Sequence, residues 1–265
     1  MARIVGDIVD FHDYVLENWG DPRAADYFLM GSLWNVLAII TVYLYFVMSL
    51  GPKLMEKREP FDLNSILIVY NIIQVNYCTY LFIKGSIHIP PHVSIFCEPC
   101  SHTRNFQNDT LSKLMHYYFL LKVLDLLDTV FFVLKKNHRQ ISFLHVYHHL
   151  MMVIFMWIAT TFVPGGTGIY LGYINCLVHM VMYTYYLLCV IFGTSKVRWL
   201  KKQVTRLQIA QFCCNVVIFT FPILQPTCGY PKWTCYMAII QNIYMLYAFG
   251  DFYYKTYVKP EKKIN

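Results

Sequence analysis

A chain of 265 residues, 57% hydrophobic and only 14% charged, lacks the polar surface that a soluble domain of this length requires; soluble domains carry about a quarter charged residues. Its net charge of +7 is spread over several connections rather than gathered in one basic patch, which sets aside a nucleic-acid surface. The composition places the chain in a lipid bilayer.

The first 25 residues carry Asp7, Asp10, Asp13, Glu17 and Asp21 and no apolar run. No cleavable signal is expected there, and the first span serves as the targeting signal. Seven stretches are then long enough to cross about 30 Å of hydrocarbon: 29–50, 63–83, 114–134, 141–163, 169–192, 206–224 and 233–254. The expected fold is an all-α integral membrane protein with seven transmembrane helices. A single domain over 1–265 is expected, because no Ser/Gly-rich linker interrupts it, and it ends in a short tail at 255–265. The longest connection, 85–113, holds Pro90-Pro91, Cys97, Cys100 and the sequon Asn108-Asp109-Thr110, which makes Asn108 a glycosylation candidate. Pro164-Gly165-Gly166 closes the fourth span.

Lys and Arg alternate between sides. Lys53, Lys57, Arg58, Lys135, Lys136, Arg139, Lys196, Arg198, Lys201, Lys202, Arg206, Lys255, Lys259, Lys262 and Lys263 fall in the first, third and fifth connections and the tail. The N-terminus and the other connections hold Arg3, Arg23, Lys84, Arg104, Lys113 and Lys232, and Lys122 lies inside a span. The positive-inside rule puts the N-terminus in the lumen and the C-terminus in the cytosol. The ending Lys262-Lys263-Ile264-Asn265 reads as a cytosolic dilysine retrieval signal, which implies the endoplasmic reticulum. Cys97, Cys100, Cys228 and Cys235 lie in or beside lumenal connections, where disulfides persist, but spacing does not fix the pairing.

Polar residues inside the spans carry the functional information. The third span holds Lys122, Asp125 and Asp128, which would cost on the order of 8–10 kcal/mol if all three faced lipid unpaired. They are expected to face the interior, with Lys122 and Asp125 paired at i, i+3 and Asp128-Thr129 continuing the same side. An ion pair that fixes helix packing explains them as readily as a substrate contact. The fourth span opens with His145, His148 and His149, whose spacing of i, i+3, i+4 puts three imidazoles on one face and Tyr147 elsewhere. In the fifth, Asn175, His179, Met182, Tyr183 and Tyr186 form one stripe that excludes Tyr185. Thr205, Gln208 and Gln211 sit near the cytosolic end of the sixth, where interhelical hydrogen bonding competes with catalysis as their role.

Two enzyme chemistries use such a pattern. A metal-dependent membrane desaturase or hydroxylase needs about eight cytosolic histidines, whereas His12, His88, His92, His102 and His116 are assigned to the lumenal side here. Only His138, His145, His148, His149 and His179 remain, so no metal is expected, although fewer ligands could hold one zinc. The alternative is nucleophilic. A dry site favours the uncharged imidazole, which attacks a thioester and yields an acyl-imidazole that is itself activated. A second imidazole manages protons, and amide and phenol groups stabilise the oxyanion. A non-enzymatic seven-span transporter or receptor would also accommodate intramembrane polar groups.

Four ordered motifs decide between these chemistries. Lys122-Val-Leu-Asp125-Leu-Leu-Asp128-Thr129, the box from His145 to His149, Asn175 through Tyr186, and Thr205-x-x-Gln208-x-x-Gln211 together resemble the fatty-acid elongase (ELO) family of condensing enzymes. The resemblance implies a seven-helix endoplasmic-reticulum protein in which six helices enclose a narrow, closed-ended acyl tunnel. It implies condensation of a long-chain acyl-CoA with malonyl-CoA, releasing CO2 and CoA and giving a 3-oxoacyl-CoA two carbons longer, with no cofactor. By motif position His148 is the candidate nucleophile with His179 facing it, and His145 and His149 support it or handle protons. Asn175 and Gln208 become oxyanion or substrate contacts, joined in the substrate set by Tyr183, Tyr186, Lys122, Asp125 and Asp128. Lys135, Lys136 and Lys202 either hold CoA phosphates or are ordinary positive-inside charge. A lumenal Cys97–Cys228 disulfide is implied by analogy. Expected partners are the bilayer, the two CoA thioesters, and the reductase, dehydratase and enoyl reductase of the elongation cycle; a homodimer is compatible with the sequence. Tyr147 leans toward the very-long-chain and polyunsaturated branches of the family.

Overall fold

The structure, a computed structural model, describes residues 2–259. Among them every regular element is helical: α1 (Ala2–Trp19), α2 (Pro22–Ala25), α3 (Leu33–Tyr45), a π-helical turn at Phe46–Leu50, α4 (Gly51–Met55), α5 (Asn64–His88), α6 (Phe106–Asp125), α7 (Leu127–Leu134), α8 (Phe143–Phe162), α9 (Ile169–Phe192), α10 (Arg198–Leu224) and α11 (Lys232–Tyr253), with short 3-10 turns at His138–Gln140 and Gly166–Gly168 and a second π-helical turn at Tyr254–Val258. Five helical segments are long and apolar enough to cross a membrane: Leu33–Met55, Asn64–His88, Phe143–Phe162, Gly166–Phe192 and Arg198–Leu224. They make the chain a multi-pass membrane protein. The stretches expected at 114–134 and 233–254 are also helical, but charges in the first and Thr234, Gln241, Asn242 and Asp251 in the second leave them less apolar.

Local chemistry sets these boundaries. Asp21, Ser32, Asn105 and Ser142 sit in extended backbone ahead of α2, α3, α6 and α8, and each side chain accepts a hydrogen bond from an otherwise orphaned N–H of the first turn. Pro52 has no N–H to give back to the preceding turn, and the backbone ahead of it widens into the π-helical turn. A Cβ on Gly51 would lie 2.6 Å from Val133 Cγ1, so glycine permits the close approach of α4 to α7. Gly165 and Gly166, in the connection between α8 and α9, are both at positive φ, which glycine adopts without strain.

The third expected span is not one helix. The Leu126 N–H turns back to Val123 O at 3.2 Å, and a new helix begins at Leu127. Asp128 in the first turn of α7 complements the helix dipole there, while at the end of α6 Lys122 and Asp125 offset each other.

The described residues form two compact units, each discontinuous in sequence. One comprises the chain up to Leu63 together with Ser101–Gly165; the other comprises Asn64–Cys100 and the chain from Gly166 onward. In the first, Val36, Phe119, Leu121, Val133 and Val153 are buried, and α6 packs along α8. In the second, α5 lies against α9 and α10 against α11. The second unit has an inverted polarity on α11: Ile240, Ile243 and Tyr247 are exposed, while Asn242 is buried and accepts from Asn215 Nδ2 of α10 at 3.0 Å. Apolar outside and amide inside is the arrangement that lipid as solvent selects.

Each unit is also tied outside its spans. In the second, Cys97 and Cys228 are disulfide-bonded across 131 residues of sequence. In the first, Arg23 donates to Asp21 Oδ1 and Oδ2 at 2.9 and 2.6 Å and to Ser101 O at 2.9 Å, and His102 Nδ1 lies 2.8 Å from Asp21 Oδ2. The Asp21 and Arg23 side chains are 0% and 3% exposed. Burial alone would raise the Asp21 carboxyl, but Arg23 and the nearby His102 outweigh it and hold the group below the usual carboxylate range. A carboxyl lowered on folding contributes stability above its unfolded pKa and loses that contribution as pH falls through the folded one. Thermal midpoints should therefore hold near neutrality and fall in the acid range below about pH 4, with Asp21→Asn removing part of that dependence. Arg23→Ala, which strands a buried carboxylate, should cost about 3–5 kcal/mol, read by chemical denaturation in detergent.

The sequon asparagine, Asn108, lies in the first turn of α6, where Nδ2 donates to Ser101 Oγ at 3.1 Å and Thr103 O at 2.9 Å. Lys262 and Lys263 lie outside the described residues.

Candidate active site

In the first unit, the buried end of α6 presents Lys122 and Asp125, 2% and 1% exposed. Lys122 Nζ donates to Asp125 Oδ2 at 2.8 Å and rests over the Tyr118 ring, 4.8 Å from its centroid. This is the i, i+3 pair that the spacing allowed. Beyond the break at Leu126, Asp128 is half-buried and Thr129 fully buried.

α8 carries the three imidazoles. Ser142 Oγ accepts from His145 N at 3.2 Å, so the histidines fall within the first two turns of a capped helix. The His145 and His149 rings lie 4.3 Å apart at 60°, and those of His148 and His149 5.8 Å apart at 68°. Tyr147 turns away and stacks on Phe143 at 5.8 Å. The rings differ in what holds them. His145 Nε2 is 3.0 Å from Thr129 Oγ1, which accepts from Tyr43 O–H at 2.8 Å. His148 Nδ1 is buried and has no hydrogen-bond partner among the described residues. A buried imidazole nitrogen in that state is costly unless the site is built to meet something else.

The second unit holds an amide–tyrosine cluster. On α9, His179 is 5.7 Å from Tyr183 between ring centroids, and Tyr183 is 5.8 Å from Tyr186. Asn175 Nδ2 donates to Gln211 Oε1 of α10 at 3.3 Å, and Gln208 Nε2 lies 3.5 Å from Met182 Sδ. Asn175, His179, Met182 and Tyr183 are buried, so most of the stripe faces inward. Its last member does not. Tyr186 is 37% exposed, whereas Tyr185, placed off the stripe, is 7% exposed. Lys202 Nζ lies 5.7 Å from the Tyr253 centroid and 6.0 Å from that of Tyr257, so this cation is held by aromatic faces of the chain itself.

Several buried residues of these clusters carried no sequence expectation, Gln74 and Tyr43 among them. Gln74, fully buried on α5, donates to Tyr70 O–H at 2.8 Å and approaches Tyr183 O–H at 3.5 Å. An amide inside an apolar span is a readable signal for it. Tyr43 offers no such signal, because one tyrosine among 22 reads as packing. Among the described residues no three His, Cys, Asp or Glu side chains are grouped to hold a metal ion.

The sequence matches the ELO: GNS1/SUR4 family model over residues 28–265. The chain belongs to the ELO family. This ELO chain is 35% identical to a very long chain fatty acid elongase of Aedes aegypti over 99% of its own length and 74% of the relative's. It is 36% identical to very long chain fatty acid elongase 4 of Homo sapiens, covering 99% of this chain and 83% of that one. With very long chain fatty acid elongase 7 of Drosophila melanogaster it shares 35% identity over 94% and 76%. All four motifs of this ELO chain fall within the matched region.

Proposed function

We propose that this ELO-family protein is the condensing enzyme of fatty-acid elongation, a 3-oxoacyl-CoA synthase that works through an acyl-histidine. The observation that carries the reading is the buried, unpartnered Nδ1 of His148, in a box where the His145 nitrogen is already engaged by Thr129. A ring nitrogen of His148 attacks the thioester carbonyl of a long-chain acyl-CoA, and CoA leaves as the thiol with one proton. Malonyl-CoA then loses CO2, and the resulting enolate carbon attacks the acyl-imidazole carbonyl. The C–N bond to His148 breaks, the departing ring nitrogen takes up one proton from solvent, and a 3-oxoacyl-CoA two carbons longer is released. No cofactor enters this balance, because decarboxylation supplies the carbanion.

His179 is the second imidazole of the reaction. His149 moves protons, Asn175 and Gln208 stabilise the oxyanion, and Tyr183, Tyr186, Lys122, Asp125 and Asp128 complete the substrate contacts. The full architecture belongs to the same proposal: seven spans, six of them around an acyl tunnel, in the endoplasmic-reticulum membrane, with a lumenal N-terminus and a cytosolic C-terminus. Lys135, Lys136 and Lys202 meet CoA phosphates on that cytosolic side. The other enzymes of the elongation cycle are its functional partners.

Purified protein given a long-chain acyl-CoA and radiolabelled malonyl-CoA should release CoA and place label in a product two carbons longer. A panel of acyl-CoA chain lengths that yields no labelled product removes the reading, and a transporter with the same spans would give that blank.

A further inference from the structure

We infer that Tyr43, on the first membrane span, is a positioning residue that sets the tautomer of His145 through Thr129. The inference deepens the reading above, on which it relies only for what His145 contributes to turnover.

The chain of contacts is short and buried. Tyr43 and Thr129 are 6% and 0% exposed; the phenol donates to Thr129 Oγ1 at 2.8 Å, and that oxygen lies 3.0 Å from His145 Nε2. A threonine hydroxyl has one hydrogen to give. At five other positions in the spans that hydrogen goes back along the helix: Thr41, Thr79, Thr184, Thr205 and Thr220 each donate to the carbonyl four residues earlier. Thr129 makes no such bond, and the break at Leu126 interrupts the helix inside its own i−4 turn. With one lone pair occupied by the Tyr43 hydrogen, the remaining acceptor within reach of the Thr129 hydrogen is His145 Nε2. That nitrogen is therefore unprotonated, and the ring hydrogen sits on Nδ1.

This assignment narrows what His145 does. Its Nε2 lone pair is committed to Thr129, so the residue does not act as a base through that atom. What it offers the box is an Nδ1–H donor held in a fixed plane, with Phe132 at 5.2 Å and His149 at 4.3 Å packed against the ring. Tyr43 acts through two other side chains and touches no substrate. It therefore orients rather than reacts.

The test reads the nitrogen directly. In protein labelled with 15N-histidine, the His145 pair of ring resonances is assigned by its loss in His145→Gln. The wild type should show Nε2 unprotonated and Nδ1 protonated. Tyr43→Phe should give a mixture of tautomers and a turnover lower by about five- to tenfold, with KM unchanged. Thr129→Ser should keep the wild-type spectrum and rate, and Thr129→Val, which leaves the first span untouched, should lose both. A protonated Nε2 in the wild type, or a Tyr43→Phe spectrum indistinguishable from it, overturns the inference. The spectrum needs no turnover, so it stands or falls apart from the condensation chemistry, which the malonyl-CoA experiment decides alone.

Discussion

His148→Ala is expected to abolish product formation, by at least about a thousandfold, while the protein inserts and folds as before. The two halves of that expectation rest on different observations. Folding survives because the ring makes no hydrogen bond through Nδ1, so its removal strands no buried donor or acceptor at that atom. Activity does not survive because the proposed acyl group has nowhere to reside between the two thioesters. The intermediate itself is accessible. With acyl-CoA alone and no malonyl-CoA, the wild type should release about one CoA per active chain and gain the mass of one acyl group on the peptide that contains His148. The alanine variant should do neither. Full activity in that variant, or an acyl group trapped at another residue, would transfer the nucleophile's role elsewhere.

The second large effect concerns Lys122 and Asp125. Removing either partner leaves a charge sealed at the end of α6, a change that costs about 3–5 kcal/mol and should sharply reduce the folded, membrane-inserted yield of Lys122→Ala or Asp125→Ala. Replacing both by apolar residues of similar volume, Lys122→Met with Asp125→Leu, should restore the folded yield because no uncompensated charge remains. Size-exclusion profile and thermal midpoint measure that recovery. The double variant also separates the two roles the sequence left open. Recovery of fold without product formation keeps the pair among the substrate contacts, and recovery of both reduces it to a clasp beneath the histidines.

The sequence reveals some parts of this molecule and conceals others for definite reasons. Apolar run length is a strong signal, so most helices begin within a few residues of the stretches read for them, as at Leu33–Met55 and Phe143–Phe162, whereas α6 and α10 begin well ahead of 114 and 206, at Phe106 and Arg198, because their first turns are polar. Capping refines the ends, as Ser142 does for α8. The break after Asp125 was hidden, because Lys122 through Thr129 keep a helical spacing and no proline or glycine announces an interruption. The box histidines stood out because three imidazoles on one face have few packing explanations. The Tyr185 and Tyr186 pair misled, because a stripe drawn at a constant angle per residue assigns the buried side by periodicity alone, while burial depends on which neighbour each ring meets. Tyr43 was invisible for the same reason. Its part is assigned by Thr129, 86 residues further along the chain.

The interleaving of the two compact units restricts how the protein can be dissected. Each draws on two separated stretches, with seams after Leu63, Cys100 and Gly165. No single scission of the polypeptide therefore separates one unit from the other, and a piece that keeps either unit whole still carries a remnant of its neighbour. Experiments that seek a minimal fragment must co-express complementary pieces and ask whether they reassemble.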